Sequence, residues 1–232
     1  MHTQTESSPI LANRTGRPLL AFAYEGCNPD LLDKVLPLVD MLELPPDSYG
    51  NAEGGKVTFT EGAMAQIDKA LAAGKQMIAH GIGLSMGSYD GMHEPYLTFL
   101  DAFLERVPVA WHSEHLGYTR VHGDFLGTML HIPRTKQALD MICDRVMRIQ
   151  DRYQIPFLVE NIVRLLPDDD NDYTDAAFIN AVCERTGCGL LLDAYNLECE
   201  IFNNGLDIDA FLDEINLANV REIHVACGLN HR

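Results

Sequence analysis

Five short apolar runs in the 232-residue sequence each end in a side chain that binds metal well. They read Gln76-Met-Ile-Ala-His80, Val109-Ala-Trp-His-Ser-Glu-His115, Phe157-Leu-Val-Glu160, Leu190-Leu-Leu-Asp193 and Arg221-Glu-Ile-His224. Three imidazoles and two carboxylates make a donor set suited to a transition metal, with enough ligands for more than one ion. A carboxylate at the end of an apolar strand is costly to bury unless it is paired or bound to a cation. A lone histidine in such a place reads as a hydrogen-bonded structural residue. The recurrence of these donors on successive units is what points to a shared metal.

Residues so far apart in sequence need a scaffold that gathers them. Apolar runs alternate with stretches of helical periodicity along the chain, which predicts parallel strands joined by right-handed crossovers. The strands are read near residues 19–24, 41–44, 76–80, 107–115, 157–160, 189–193 and 222–226. The helices are read near 29–39, 60–73, 93–104, 133–153, 175–185 and 207–216. This is an α/β chain with a TIM-type (β/α) barrel fold, incomplete at about seven strands, with no eighth strand evident. In such a barrel the carboxyl ends of the strands share one mouth, and His80, His115, Glu160, Asp193 and His224 meet there. Residues 1–17 read as a flexible polar arm and residues 18–232 as a single barrel domain.

The neighbours of the mouth residues follow from strand alternation. Glu114 and Asn161 adjoin His115 and Glu160, point to the other face, and are expected to orient ligand imidazoles or loop backbone. Asn196, three residues after Asp193, is placed in a loop, either turning back over the metal or serving as an ordinary turn residue. The glycines of Gly81-Ile-Gly-Leu-Ser-Met-Gly87 are spaced one residue too long for a dinucleotide fingerprint and suit a tight turn beside the site instead. His93 lies on the apolar stripe of a helix and reads as structural. Cys227 is the thiol nearest the mouth. Asp168-Asp-Asp-Asn-Asp172 lacks the glycine and distal glutamate of a calcium loop and reads as a solvated acidic segment. Ser85, Ser88 and Ser113 have no nucleophile-elbow context.

Composition narrows the function classes. A net charge of −17 argues against a nucleic-acid binder and against anionic membranes, and suits a cationic partner. No run reaches membrane-spanning length, and the polar N-terminus lacks a signal-peptide core. Six cysteines without a C-x-x-C pair fit reduced thiols and a cytoplasmic location.

In order along the chain, His80-Gly-Ile-Gly-Leu-Ser-Met-Gly-Ser88, Ser113-Glu-His-Leu116, Val159-Glu-Asn-Ile162, Thr186-Gly-Cys-Gly-Leu-Leu-Leu-Asp193 with Asn196, and Glu222-Ile-His224 carry a family likeness. Together they resemble the multinuclear non-haem iron family typified by MbnB of methanobactin biosynthesis, on the xylose-isomerase-like barrel. The likeness runs from about Leu19 to His224. It implies two or three iron ions and oxygen-dependent modification of cysteine in a ribosomally made peptide. It also implies a small partner protein that holds the peptide leader. By motif match the ligands are His80, His115, Glu160, Asp193, Asn196 and His224, and His93 matches a histidine of the family. Some motifs are missing. Val225-Ala-Cys-Gly228 replaces a histidine-bearing stretch, Asp47-Ser-Tyr49 is a partial echo of a Glu-Asn-Tyr motif, and the eighth-strand motif has no counterpart. One site built by strands three to seven is therefore better supported than a full cluster. Two alternatives stand beside this reading: a divalent-metal sugar isomerase or epimerase on the same barrel, and a non-catalytic degenerate barrel.

Overall fold

The computed structural model of the chain describes residues 16–166 and 171–226. Strand β1 (Ala21–Ala23) leads to helix α1 (Pro29–Val35) and strand β2 (Met41–Leu44). A hairpin, β3 (Gly50–Glu53) and β4 (Lys56–Phe59), precedes α2 (Glu61–Ala72), β5 (Gln76–Gly81), α3 (Glu94–Arg106) and β6 (Val109–His115). A second hairpin, β7 (Gly117–Val121) and β8 (Asp124–His131), precedes α4 (Lys136–Tyr153), β9 (Phe157–Glu160), α5 (Asp175–Thr186) and β10 (Gly189–Asp193). Helices α6 (Ala194–Asn204) and α7 (Ile208–Glu214) then lead to β11 (Val220–His224).

Seven strands form one parallel sheet in the order β1-β2-β5-β6-β9-β10-β11. This is the expected α/β half-barrel. Strands β1 and β11 are its two edges, and between them lies a cavity of about 780 Å³ lined by both strands and their flanking residues, including Leu19, Leu20, Ala21, Arg221, Ile223 and Val225.

Side-chain alternation sorts each strand into an outer face under the helices and an inner face on the barrel axis. The inner face forms two layers. Met41, Ile78, Trp111, Leu158 and Leu191 pack into an apolar floor. Two residues further along the same strands stand Glu43, His80, Ser113, Glu160 and Asp193. The outer face packs on the helices in two larger clusters. One joins α1, α2 and α3 to β2 and β5 through residues such as Leu32, Leu42, Met64, Ile67 and Phe103. The other joins α4, α5 and α7 to β9 and β10 through Ile142, Val146, Val159, Val182, Leu190 and Phe211.

Several expectations are corrected. The segment after β2, where no strand is expected, is the β3–β4 hairpin, with Gly54 and Gly55 at positive φ in its tip. The segment between β6 and α4, where no strand is expected either, is the β7–β8 hairpin, turning at His122 and Gly123, both at positive φ. Asn196 is not in a loop but in the first turn of α6, an element absent from the sequence reading. Asp193 is the N-cap of that helix and accepts the Asn196 N–H through Oδ1 at 2.6 Å. Residues 1–15 and Cys227 lie outside the described residues. At the end of the segment read as an arm, Arg17 pairs with Asp40, Nη2 to Oδ1 at 2.6 Å.

Candidate metal centre

The three imidazoles expected at the mouth meet there. The His80 ring centroid lies 4.5 Å from that of His115 and 5.0 Å from that of His224. All three surround Glu160, which is 1% exposed. His80 Nε2 and His115 Nε2 stand 3.1 Å and 3.0 Å from the same oxygen, Glu160 Oε2, and His224 Nδ1 stands 3.5 Å from Oε1. Glu160 Oε2 is nonetheless buried without a well-aligned hydrogen bond among the described residues. Two ring nitrogens and a carboxylate oxygen thus crowd one point without satisfying one another. A cation coordinated by all three would resolve this, and the nitrogen–oxygen donor set fits iron or another first-row metal.

Each imidazole is held by its other nitrogen. His115 Nδ1 lies 3.0 Å from the Gly81 carbonyl, which can only accept, so Nδ1 carries the proton. The Ser113 hydroxyl donates to the Ala79 carbonyl at 3.3 Å and so accepts from His80 Nδ1 at 2.9 Å. His224 Nε2 stands 2.7 Å from Glu43 Oε2. Partners of this kind fix the tautomer and aim the remaining nitrogen, the arrangement found behind metal-binding histidines. Here they leave His80 Nε2, His115 Nε2 and His224 Nδ1 facing Glu160.

The remaining residues of the sequence reading are placed as follows. Asp193 Oδ2 stands 3.7 Å from His224 Nδ1, at the rim of the cluster. Asn161 holds Asp193 by its backbone, accepting from Asp193 N at 2.8 Å and donating to Asp193 O at 3.0 Å. The Asn196 amide donates to the Asn161 carbonyl at 2.9 Å, so in this structure it braces the loop. Glu114 faces away from the axis and accepts the Leu84 N–H at 3.3 Å. His93 caps α3, its own N–H bonded to the Leu84 carbonyl at 3.1 Å, and does not join the converging groups. His112 is buried on the outer face against Phe157, and burial pushes its ring down to about 3.

Three site residues were not assigned from the sequence. Ser113 is one, and Glu43 and Glu222 are the others. Glu43, Glu222 and His224 form a second group whose ligand atoms lie within 4.8 Å of one another, sharing His224 with the group of His80 and Glu160. Trp111 in the floor donates its indole N–H to Glu222 Oε2 at 2.7 Å. Period-two alternation could have revealed Glu43, since it falls on the same inward face as Met41 and a carboxylate there is out of place.

The electrostatics bind the cluster together. Burial alone would raise Glu160, but the His115, His224 and His80 rings that face it hold its carboxyl well below the usual range. Burial opposes charge on His224 as well, yet Asp193, Glu160 and Glu43 push it up to about 12. Burial and the neighbouring Glu43 push Glu222 up to about 8, so that carboxyl carries a proton at neutral pH. Metal-free, the protonated His224 stands in for part of the charge a cation would bring.

An α/β half-barrel with nitrogen and oxygen donors at its strand ends defines a TIM-type scaffold carrying a candidate metal centre. The chain belongs to the family of RiPP precursor modification enzymes MbnB/TglH/ChrH, whose model matches residues 26–232. It is 31% identical over 196 residues to a UPF0276 protein of Psychromonas ingrahamii, covering 84% of this chain and 66% of that one. It is 37% identical over 147 residues to a UPF0276 protein of Rhizorhabdus wittichii, covering 63% and 52%. The chain thus spans roughly half to two thirds of the length of the curated relatives it matches. Among solved structures, D-psicose 3-epimerase in the presence of D-fructose is similar with a TM-score of 0.52 at 12% identity, over 89% of this chain and 72% of that one. A 3-keto-D-glucoside 4-epimerase from E. coli gives 0.52 at 14%, over 91% and 80%. At such identities the likeness is one of fold. No described helix is long and apolar enough to cross a membrane.

Proposed function

We propose that this protein is an iron-dependent, oxygen-using enzyme that modifies cysteine in a ribosomally made peptide. The observation that carries the proposal is the convergence of His80 Nε2 and His115 Nε2 on one oxygen of Glu160, with His224 Nδ1 facing its other oxygen. Family membership supports the substrate class, because the family is described by its action on such precursors.

His80, His115, Glu160 and His224 would hold the ion, with Asp193 at the rim. Glu43 and Glu222 offer further ligand atoms on the other side of His224. Bound iron would supply a Lewis acid for a substrate thiolate and electrons for dioxygen, which is reduced as the cysteine is oxidised. The chain's own contribution is geometry. Gly81, Ser113 and Glu43 fix the three rings before any ion arrives, and Asn161 fixes the backbone of Asp193. The cavity between β1 and β11 opens onto Glu43, Asp193, Glu222 and His224 and gives a peptide side chain a way in. The apolar floor of Met41, Ile78, Trp111, Leu158 and Leu191 packs directly beneath the site. The acidic surface suits a basic peptide or a small leader-binding partner protein.

The test is anaerobic purification with metal assay, followed by incubation with oxygen and a cysteine-containing peptide encoded beside the gene, read by mass spectrometry. The expected result is bound iron and an oxygen-dependent mass change confined to the cysteine. Manganese in place of iron, indifference to oxygen and epimerisation of a keto sugar would overturn the proposal.

A further inference from the structure

The loop that leaves β5 rests on two carboxyl groups that lie outside the metal centre. Glu114 is 1% exposed and accepts the Leu84 N–H through Oε1 at 3.3 Å. Asp47, in the turn after β2, accepts the Ile82 N–H through Oδ2 at 3.2 Å. Gly81 directly precedes the anchored Ile82, and its carbonyl accepts the His115 Nδ1–H at 3.0 Å. The anchors also explain the glycines. A Cβ on Gly81 would lie 2.2 Å from Glu114 Oε1 and 2.4 Å from the Tyr96 hydroxyl, and one on Gly83 would lie 2.3 Å from Asp47 Oδ1. Both positions are glycine because the carboxyl groups must come this close to the backbone.

We propose that Asp47 and Glu114 are positioning residues that clamp residues 81–84 so that the Gly81 carbonyl locks His115 as its Nδ1–H tautomer, with Nε2 turned to Glu160. The clamp needs no ion to operate; its value as ligand positioning rests on the metal-centre reading. A free imidazole prefers the proton on Nε2, so without the clamp His115 would lose the form that presents Nε2 to a cation. Gly81 and Gly83 then belong to the site through the carboxyl groups they admit.

The experiment is nitrogen-15 NMR of histidine-labelled, metal-free protein at alkaline pH, paired with calorimetric titration of zinc as a diamagnetic probe. Wild type, Glu114→Gln, Glu114→Leu and Asp47→Ala are compared. Wild type and Glu114→Gln, whose amide oxygen still accepts from Leu84, are expected to show His115 protonated on Nδ1 and to bind zinc equally. Glu114→Leu and Asp47→Ala are expected to shift the proton toward Nε2 and to weaken zinc binding on the order of ten- to a hundredfold. Asp47 is exposed, so its variant keeps the test open if Glu114→Leu fails to fold. Retention of the Nδ1–H form in Asp47→Ala, or its absence from wild type, overturns the proposal. If wild type binds no zinc while the tautomers respond as stated, the metal-centre reading fails and the clamp stands.

Discussion

Trp111 donates its indole N–H to Glu222 Oε2 across 2.7 Å, tying the apolar floor of the barrel to the strand that carries His224. His224 Nε2 in turn lies 3.9 Å from Glu222 Oε1. The single tryptophan of the chain is therefore coupled to the candidate centre through one carboxyl group. Titration with cobalt(II) should quench Trp111 fluorescence to a saturable endpoint, and His224→Ala should abolish the saturable phase. Quenching that is unchanged in that variant would place the ion elsewhere.

Glu160 is the one residue that all three imidazoles share. Glu160→Gln removes the buried negative charge and leaves the rings without a counter-charge, so His115 and His224 should titrate at lower pH than in the parent. Cation affinity should fall by at least the ten- to hundredfold typical of losing a supporting group alone. Calorimetric titration and histidine NMR measure both effects.

Ser113 is expected to matter though it touches no ion. Ser113→Ala removes the acceptor for His80 Nδ1 and frees that ring to rotate. The loss should be on the order of tenfold in cation affinity, with the unfolding midpoint little changed. A variant that binds as tightly as the parent would show that the serine has no part in orienting His80.

The pH dependence has a definite sign. Glu160 is held below its ordinary value of 4.5, so its contribution to stability is present above that value and is lost as pH falls through the folded value. His224 is raised from 6.5 to about 12, so its contribution is full below 6.5, declines progressively as pH rises above 6.5 and is gone once pH has passed about 12. Metal-free protein should thus be most stable between about pH 4.5 and 6.5 and lose stability on either side, below through Glu160 and above through His224. Binding a cation requires His224 to release a proton, so apparent affinity should rise with pH across the neutral range. Urea unfolding and calorimetry in buffers of different ionisation heat test the two statements.

The floor that supports the site is ordinary packing and should behave so. Leu191 is fully buried in that layer, which it shares with Leu158 and Trp111. Leu191→Ala should cost about 2–5 kcal/mol, the range for emptying a buried leucine site, and the lost stability should appear in thermal unfolding of metal-free protein.

The barrel and its mouth were legible because two periods coincide. Apolar runs of strand length mark the seven parallel strands, and the last inward residue of four of them is His80, His115, Glu160 or Asp193. The hairpins were missed because Gly50–Glu53 and Asp124–His131 are half or fully exposed, so no apolar alternation marks them. Helix α6 was missed because Leu197 and Glu200 are its buried residues, too few for an apolar stripe. Its start was written only in the capping side chain of Asp193. Glu43 and Ser113 were overlooked because neither ends its strand. They join the site from one and two residues further back, through an alternation that matters only once the register of β2, β5 and β6 is known.

The central claim is that His80, His115, Glu160 and His224 hold one ion in common. Crystals grown without oxygen and soaked in ferrous iron, measured at the iron absorption edge, test it most directly. The account predicts an anomalous peak about 2 Å from the Nε2 atoms of His80 and His115 and from Glu160. No peak among those residues, with the protein otherwise folded as described, would contradict it.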